Sequence, residues 1–363
     1  MTHDVLVVGA GPGGSTVAWG LARAGLRVLA VDAATFPRVK LCAGWVTRRA
    51  LADLELEPHA YPHTIQSFAS VTVAVDGREH ETSWNETVSY GIVRAEFDAF
   101  LLRRAAQAGA EVREGVRVRA VRPARSEITV EADDGERFTA PLVVGAAGHG
   151  CPVARLLGDV DAREQVVVTQ ESETRVGAER LRGLTARHGT PELIAEPDFR
   201  GYGWYFTKGD FLNVGIGALG GLAIRERLTR LLARLRGDGR LPGDLQLTPF
   251  RGHAYRVHRE RPRRCAGERF VLVGDAAGLA RDVSGEGIGP AVRSARLAAD
   301  AILDGRPASY AERAARTFGQ PERGLSRLIR HVPESIVVTL ARLACTRPGL
   351  RRRLVLEGAF GMG

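Results

Sequence analysis

The sequence lacks any apolar run approaching the ~20 residues that an α-helix needs to span a bilayer. Its first apolar segment, residues 5–8, has no basic segment before it and is too short for a secretory signal. With 363 residues, 44% of them hydrophobic and 26% charged, the chain has the composition of a globular protein. We therefore expect a cytoplasmic protein of one large domain or two closely joined ones.

Cysteine and histidine are scarce and scattered. The four cysteines, at positions 42, 151, 265 and 345, form neither a CxxC pair nor another metal-ligand spacing. The nine histidines are equally dispersed. Unclustered cysteines suit a reducing compartment. The sequence therefore predicts no metal site.

Acidic residues are outnumbered by basic ones, which gives a net charge of +9 and a pI near 10.0. Such an excess of positive charge makes nucleic acid, an anionic membrane surface and an acidic carrier candidate partners. Arginine supplies most of this charge and is densest at 251–269 and 342–353, but no nucleic-acid-binding motif accompanies it. We expect no nucleic-acid partner and interpret the charge chiefly as solvated surface. A membrane surface or an acidic carrier is the alternative.

The strongest pattern present is a short strand, a glycine turn, a helix and a second strand within residues 5–32. The turn consists of Gly9-Ala10-Gly11-Pro12-Gly13-Gly14, followed by a helix from Ser15 and a strand that ends in Asp32. Gly9 permits the tight turn, Gly11 lets the backbone approach a pyrophosphate, and Gly14 lets helix pack on strand. Helix N–H groups attract the phosphates, and Asp32 can bind an adenosine ribose. The unit predicts a dinucleotide site, although NAD alone would also fit it.

Residues 36–45 follow the second strand and are therefore expected beside the cofactor. Arg38 and Lys40 can neutralise phosphate, and Gly44 permits close backbone approach. Cys42 is either a small buried side chain, the usual fate of free cysteine, or a residue at the reactive end of the cofactor. Arg94 opens a predicted helix, where its forked guanidinium can bind phosphate.

A second nucleotide-type turn distinguishes this chain from simple nicotinamide dehydrogenases. A strand ends in Gly274-Asp275, and the glycine-rich stretch 285–290 leads into a helix that reaches Ile302. A cofactor as long as FAD needs such a second anchor. Asp275 could bind its ribityl hydroxyls, and the helix that starts near Gly287 could stabilise negative charge on a reduced flavin.

The middle of the chain predicts antiparallel sheet. Residues 65–84 alternate around Asp76-Gly77, a strong hairpin signal, and residues 165–249 are predicted as sheet interrupted by helices, one of them amphipathic at 222–235. In a further hairpin with a turn at 207–210, strand alternation puts Tyr202, Trp204 and Phe206 on one face. This aromatic row is either sheet core or the lid of an apolar substrate cavity.

Together these segments resemble the FAD-dependent oxidoreductases of the para-hydroxybenzoate hydroxylase fold, and within it the geranylgeranyl reductase group. The resemblance includes the glycine turn with Asp32, the loop Lys40-Leu41-Cys42-Ala43-Gly44, the helix start Arg94-x-x-Phe97-Asp98, the segment from Gly274-Asp275 to Ile288, and Tyr202-x-Trp204-x-Phe206. It implies a fold class: α/β, with a Rossmann-like FAD-binding domain (βαβ, mixed sheet), an inserted antiparallel substrate domain and C-terminal helices.

The expected domain limits are 1–60, 89–165 and 262–310 for FAD binding, 61–88 and 166–261 for the substrate domain, and 311–363 for the C-terminal helices, with breaks predicted at Pro333 and Pro348. The predicted cofactor-binding residues are Gly9, Gly11, Pro12, Gly13, Gly14, Ser15, Asp32, Ala33, Arg38, Lys40, Cys42, Ala43, Gly44, Arg94, Val118, Ala147, Gly148, Gly274, Asp275, Gly285, Gly287, Ile288 and Gly289. The predicted catalytic residues are Cys42, Tyr202 and Trp204, and the predicted substrate-cavity residues are Tyr202, Trp204 and Phe206.

The chain also departs from the family pattern. Thr207 stands where the reductase motif continues with proline, and Ala43 stands where the loop usually has glycine. Ala147-Gly148 replaces the hydroxylases' Asp-Gly motif for FAD and NAD(P)H, which makes a hydroxylase less expected. The electron donor therefore stays open between NAD(P)H, ferredoxin and another reductase.

These features predict a flavoenzyme in which hydride from reduced flavin reaches a carbon–carbon double bond of an apolar, isoprenoid-like or natural-product substrate. Cys42 and Tyr202 are the candidate proton donors. Partners would be this substrate, an electron-donor protein or acidic carrier, and a membrane surface touched peripherally. The alternatives are an FAD-dependent monooxygenase or tailoring enzyme, and a non-catalytic flavin-binding redox protein; a plain NAD dehydrogenase is least expected.

Overall fold

The computed structural model describes residues 3–158, 166–184, 188–221, 223–257, 264–319 and 332–363, and these form four β-sheets and a set of helices. The strands are β1 (Val5–Val8), β2 (Val28–Asp32), β3 (Trp45–Thr47), β4 (Ile65–Phe68), β5 (Ser70–Val75), β6 (Arg78–Ser83), β7 (Ser89–Ile92), β8 (Glu111–Glu114), β9 (Val118–Pro123), β10 (Ile128–Ala132), β11 (Arg137–Ala140), β12 (Leu142–Gly145), β13 (Val166–Arg175), β14 (Glu192–Ala195), β15 (Gly201–Lys208), β16 (Phe211–Leu219), β17 (Arg251–Arg256) and β18 (Phe270–Leu272).

The helices are α1 (Pro12–Arg23), α2 (Arg48–Asp53), α3 (Arg94–Gln107), α4 (Pro152–Leu157), α5 (Ala178–Leu184), α6 (Ile224–Gly237), α7 (Ile288–Leu303), α8 (Tyr310–Phe318), α9 (Glu334–Thr346) and α10 (Pro348–Leu350), followed by a π-helix at Arg351–Ala359. Short 3₁₀ turns occur at Pro58–Ala60, Gly148–Gly150, Gly274–Ala277 and Pro307–Ser309. No helix among the described residues is long and apolar enough to cross a membrane.

A five-stranded sheet in the order β18-β12-β1-β2-β8 is parallel throughout. Four of its strands are short apolar runs, because α1 and α7 cover one face and the small sheet of β9, β10 and β11 covers the other, whereas the edge strand β8 is polar and mostly exposed. Val7 on β1 packs with Ala18 on α1 and Ala295 on α7 in one buried cluster. The predicted βαβ unit is therefore confirmed, and α1 begins at the end of β1, at the edge where ligands bind in such sheets.

A seven-stranded sheet in the order β17-β13-β16-β15-β14-β5-β6 forms the second large layer, antiparallel except for the β14–β5 pair. The predicted Asp76-Gly77 hairpin joins β5 to β6, and both turn residues have positive φ (48° and 81°), as a type I′ turn requires. The alternating run before this turn, residues 65–75, forms two strands, β4 and β5. It divides at Ala69 because β4 pairs with β7 in a small sheet, whereas β5 pairs with β6.

The hairpin of β15 and β16 is tighter than its sequence suggests. Lys208 pairs with Phe211, so only Gly209 and Asp210 form the turn, and the expected turn at 207–210 is too long. The strand continues because Lys208, although charged, donates to the carbonyl oxygens of Ala43 and Ile92, which lie outside this sheet. Of the helix predicted at 222–235, α6 is present from Ile224, and residue 222 lies outside the described residues.

The C-terminal part follows the predicted breaks, since α9 begins after Pro333 and α10 begins at Pro348. The expected α/β fold class, with a parallel sheet, an antiparallel sheet and C-terminal helices, is confirmed. The domain limits stay predictions, and those at 165/166 and 261/262 fall at or within stretches (159–165 and 258–263) that lie outside the described residues.

Candidate active site

One continuous cavity of about 2410 Å³ runs from the carboxyl ends of β1 and β2 to the C-terminal helices. Its walls come from the parallel sheet, the seven-stranded sheet and α9 together with the π-helix. A pocket for one small ligand typically measures about 300–1,000 Å³. This cavity therefore has room for a long cofactor and a substrate at the same time.

The nucleotide end of the cavity is formed by the glycine turn. A Cβ on Gly14 would overlap the carbonyl oxygen of Gly9, so glycine is required there for α1 to lie against β1. Asp32 accepts hydrogen bonds from the backbone N–H groups of Ala10 (2.7 Å) and Ala34 (2.9 Å), which fix its carboxylate beside the turn. Ser15 donates to the Ala10 carbonyl (2.8 Å) and thereby holds the turn itself.

Two arginines share one buried carboxylate beside this turn. Arg94 donates from Nε (2.9 Å) and Nη2 (2.8 Å) to Asp98, and Arg38 Nη2 lies 3.2 Å from the same carboxylate. The fork of Arg94 is thus bound by Asp98, because residues four apart share one helix face. Arg38 Nη2 is the group that a Cβ on Gly11 would meet first, at 3.3 Å, which puts this cation beside the predicted pyrophosphate site.

The segment 40–44, here called loop 40–44, is clamped to the seven-stranded sheet by Lys208. The fully buried ammonium of Lys208 donates to the carbonyls of Ala43 (2.8 Å) and Ile92 (2.8 Å) and pairs with Glu173. Within the loop, Gly44 has a φ of 72° and donates its N–H to Cys42 Sγ at 3.4 Å. The chain has only two lysines, and both contact or belong to this loop.

The other lysine lies against a neutral histidine. Lys40 Nζ is 3.2 Å from Nε2 of His253 on β17. Burial first, and then the neighbouring Lys40 charge, lower the pKa of His253 to about 4. Burial, together with the charge of Arg94, lowers the pKa of Lys40, although Asp275 opposes this effect. At neutral pH His253 therefore accepts a hydrogen bond from the ammonium.

The second glycine turn closes the far end of the cofactor region. Gly285 has a φ of 65°, and a Cβ there would overlap the hydroxyl of Tyr255. Tyr202 donates its hydroxyl proton to the carbonyl of Ser284 in the same turn. Burial raises the pKa of Tyr202 above its usual value. Tyr202 and Tyr255 thus abut the turn that leads into α7.

On the cavity face of the seven-stranded sheet, the ring of Trp204 lies over Gly215. A Cβ on Gly215 would overlap the Trp204 ring, and Trp204 Nε1 donates to Asn213 at 2.7 Å. Phe206 continues the same row but does not line the cavity; it packs on Trp45 (5.6 Å between ring centroids) and Phe68 (5.8 Å). The aromatic row is therefore cavity wall at one end and sheet core at the other.

Glu171 on β13 lies on this cavity face, in register with Gly215. It is only 4% exposed, and the backbone amide of Cys42 approaches its carboxylate. Burial raises the pKa of Glu171 to about 7, although the charge of Lys208 opposes the shift. A carboxyl of this kind exchanges a proton near neutral pH.

Most of the residues predicted from the sequence meet in this one cavity. The residues that line it are Gly9, Gly11, Pro12, Gly13, Asp32, Ala33, Arg38, Lys40, Cys42, Ala43, Arg94, Val118, Ala147, Gly148, Tyr202, Trp204, Gly274, Asp275, Gly285, Gly287 and Ile288. The predicted residues that lie behind its wall are Gly14, Ser15, Gly44, Phe206 and Gly289. Among the described residues, no group of three or more potential ligands could hold a metal ion.

Four residues of the site were missed by the sequence analysis: Glu171, Lys208, His253 and Tyr255. Glu171 shares one strand face with Thr169 and Glu173, and three polar residues at this spacing equally suit a solvated strand face. Lys208 had a usable signal, because a lysine is exceptional in a chain that otherwise uses arginine.

The residues fit an extended dinucleotide. One cleft leads from Asp32, past the start of α1, to the second glycine turn and the start of α7, so both helix N-termini and both glycine turns face it. Such a fold and site define an FAD-dependent oxidoreductase. A family model described as FAD binding domain matches residues 2–303, and the chain belongs to this family.

Known proteins similar to this chain include reductases. It is 31% identical over 355 residues to menaquinone reductase of Mycobacterium tuberculosis, covering 88% of this chain and 82% of the relative. It is 30% identical over 326 residues to geranylgeranyl diphosphate reductase of Rhodobacter capsulatus (85% and 78%). The fold resembles a geranylgeranyl bacteriochlorophyll reductase-like protein from Thermoplasma acidophilum, with a TM-score of 0.78, 20% identity and coverage of 99% and 97%. The resemblance to the geranylgeranyl reductase group is thereby confirmed, and FAD is the cofactor.

Proposed function

We propose that this protein reduces carbon–carbon double bonds in an isoprenoid-like substrate, with FAD as the source of the electron pair. The observation that carries the proposal is that the cofactor cleft continues into an apolar arm. Trp204, Leu193 and Val73 form one wall of this arm. The opposite wall, from α9 and the π-helix, comprises Val337, Val338, Ala341, Ala344, Val355 and Phe360. An apolar chain buried between these walls would be bound by the hydrophobic effect.

Separate groups of residues would bind the cofactor and the substrate. The turn at 9–14 and Asp32 would hold the adenosine end of FAD, and Asp275 with the turn at 285–287 would hold the flavin end. When bound, FAD supplies the hydride chemistry. Lys208 fixes loop 40–44 between cofactor and substrate, and the apolar arm orients the alkene and excludes water. The relatives named for menaquinone and geranylgeranyl diphosphate support a substrate with an isoprenoid chain.

The test is a single-turnover measurement on purified, flavin-loaded protein. The flavin is reduced anaerobically, and geranylgeranyl diphosphate or a menaquinone in detergent is added while flavin absorbance is recorded. We expect the oxidised flavin spectrum to return, with a product heavier by two hydrogens for each double bond reduced. A fully saturated analogue of the same chain is the control and should leave the flavin reduced.

Two results would point elsewhere. If the flavin is reoxidised only by O₂, with hydrogen peroxide or a hydroxylated product, the monooxygenase alternative is favoured. If neither NADH, NADPH, reduced ferredoxin nor dithionite yields a flavin that reduces an isoprenoid alkene, the proposal is wrong. The same titrations identify the electron donor.

We further propose that the substrate enters from an anionic membrane surface. Ile336, Leu340 and Leu343 follow one stripe of α9 and are 41–58% exposed, and Leu354 of the π-helix is 58% exposed. Leu340, Leu343 and Leu354 also border the cavity, so the exposed stripe lies at its mouth. The same segment contains exposed arginines at 342, 347, 352 and 353, of which Arg342 pairs with Asp76 and Arg352 with Glu357. An apolar patch with a cationic rim is typical of helices that lie in a membrane interface.

Vesicle co-sedimentation tests this contact. We expect binding to phosphatidylglycerol vesicles, weaker binding to phosphatidylcholine vesicles, and loss of binding in the Leu340→Glu, Leu354→Glu double variant. Leu303→Glu, which changes another exposed leucine (45%), is the matched control and should bind as the wild type does. Equal binding by the wild type and the double variant would refute the contact.

A further inference from the structure

We infer that Glu171 is the proton donor of this enzyme, delivering the proton to the alkene carbon that does not receive hydride. This inference rests on the proposed reduction, in which the alkene receives a hydride and a proton. It assigns the proton to a residue of this chain. In the balanced step, the π bond breaks and two C–H bonds form. One carbon accepts a hydride from reduced flavin, which is oxidised, and the other accepts the carboxyl proton, which leaves Glu171 ionised.

The position of Glu171 supports this role. It lies between the two functional parts of the cavity, with Cys42 of loop 40–44 on one side and the Trp204 ring on the other. Gly215, its register partner on β16, carries no side chain; a Cβ there would lie 2.8 Å from Glu171 Cβ and would overlap Trp204. The glycine therefore brings a carboxyl and the substrate wall side by side at the entrance of the apolar arm.

The residues expected from the sequence as proton donors are less suited. The hydroxyl proton of Tyr202 is donated to the carbonyl of Ser284, and burial raises the pKa of this phenol. The sulfur of Cys42 accepts a hydrogen bond from the backbone N–H of Gly44. Glu171 lines the same cavity and holds a proton that it can release at neutral pH, since burial raises its pKa to about 7.

Charged and titratable groups face Glu171 from each neighbouring element. They are Lys208 on β15, Glu173 on its own strand, Arg94 at the start of α3, Cys42 in loop 40–44, and both Tyr255 and the register partner Arg251 on β17. Lys208 already pairs with Glu173, and Arg94 is bound by Asp98. Both cations are thus largely neutralised by other carboxylates, which explains why burial prevails at Glu171. After each turnover its proton is replaced from solvent.

The kinetic experiment compares Glu171→Gln with Glu192→Gln. Both residues are buried in the same sheet, but Glu192 alternates with cavity-lining Leu193 and faces the other side, where it pairs with Arg240. We expect Glu171→Gln to bind flavin normally but to reoxidise reduced flavin with an alkene at least ~100-fold more slowly. Glu171→Asp should recover part of the rate, and Glu192→Gln should react like the wild type. A Glu171→Gln rate within threefold of the wild type would overturn the inference.

The pH dependence gives a second test that survives if the variant folds poorly. The wild-type rate of flavin reoxidation by an alkene should fall as pH rises through about 7, because only protonated Glu171 can donate a proton. This fall in rate should be absent in Glu171→Gln. A wild-type rate that stays constant from pH 6 to pH 8 would also overturn the inference.

A third readout needs no substrate. Folded Glu171 keeps its proton to about pH 7, whereas the unfolded chain releases it near the usual value of 4.5. The folded state therefore binds more protons between these values, and the wild type should lose stability relative to Glu171→Gln as pH rises through this window. An unfolding midpoint difference that does not change with pH contradicts the raised pKa. Because this measurement is independent of turnover, it separates failure of the inference from failure of the proposed function.

Discussion

At the nucleotide end of the cavity, the residues that shape the wall are neighbours in sequence: one turn contains Gly9 to Gly14, and Asp32 ends the next strand. At the substrate end, Glu171, Trp204 and Tyr255 come from three different strands and meet only because β13 pairs with β16 and β17, and β16 pairs with β15. The first end is built from backbone geometry, the second from side chains aligned by strand register. Mutations should therefore act differently at the two ends, and four variants test this difference.

The largest effect is expected where the two ends are joined, at Lys208. Lys208→Met leaves Glu173 and two buried carbonyls without their donor, which should cost about 3 kcal/mol of unfolding free energy and weaken flavin binding. Urea unfolding and flavin retention on gel filtration measure both effects. Arg175→Met, which removes an exposed pair with Asp210, is the control and should cost less than about 1 kcal/mol. Equal losses in the two variants would contradict the clamp.

The next effect concerns the nucleotide end alone. Gly14→Ala forces a Cβ into the carbonyl of Gly9, so α1 must move away from β1 at a cost of about 1–3 kcal/mol. The purified variant should contain little flavin. Gly20→Ala in the same helix meets only Ala299 Cβ at 3.4 Å and should be neutral or stabilising by up to about 1 kcal/mol. Full flavin content in Gly14→Ala would show that the turn tolerates a side chain.

A smaller and more selective effect is expected at the substrate end. Gly217→Val adds a branched side chain beside Thr169 and Trp204, which should raise KM for the substrate about tenfold and leave flavin affinity unchanged. Steady-state kinetics and flavin titration distinguish the two effects. Gly252→Val, on the edge strand β17 and directed to the other face than His253, should change neither quantity. If Gly217→Val instead loses flavin, the two ends are not separable.

The smallest effect is expected at Tyr202. Tyr202→Phe removes one hydrogen bond to the Ser284 carbonyl, which should cost about 1 kcal/mol of stability and leave turnover within about threefold of the wild type. Thermal unfolding and single-turnover kinetics provide the measurement. Tyr205→Phe removes a similar bond to the Arg240 carbonyl on the opposite face and is the control. A 100-fold loss of turnover in Tyr202→Phe alone would make this tyrosine the proton donor in place of Glu171.

Prediction from sequence succeeded where a local pattern has one geometric solution. The glycine turn, the Asp76-Gly77 hairpin and the helix starts after Pro333 and at Pro348 all depend on φ values or on missing N–H groups that the residue type itself sets. It failed where distant residues decide the outcome. The turn at 207–210 was predicted too long because the carbonyls that satisfy Lys208 belong to Ala43 and Ile92, far away in the chain.

The aromatic row shows the same division within a single strand. Alternation alone puts Tyr202, Trp204 and Phe206 on one face, and β15 has this arrangement. Which of them borders the cavity depends on the side chains that pack against this face. Phe206 packs on Trp45 and Phe68, whereas Trp204 lines the cavity. No spacing rule contains that information, because the opposing side chains come from other sheets.

The sequence by itself determined that this protein binds FAD, since backbone geometry at two glycine turns and a carboxylate after the second strand is set by residues a few positions apart. Only the tertiary structure decided that Glu171 is buried beside Cys42 and keeps its proton to about pH 7. The physical reason is that a pKa depends on burial and on neighbouring charges, and both are created when separate strands and loops pack together.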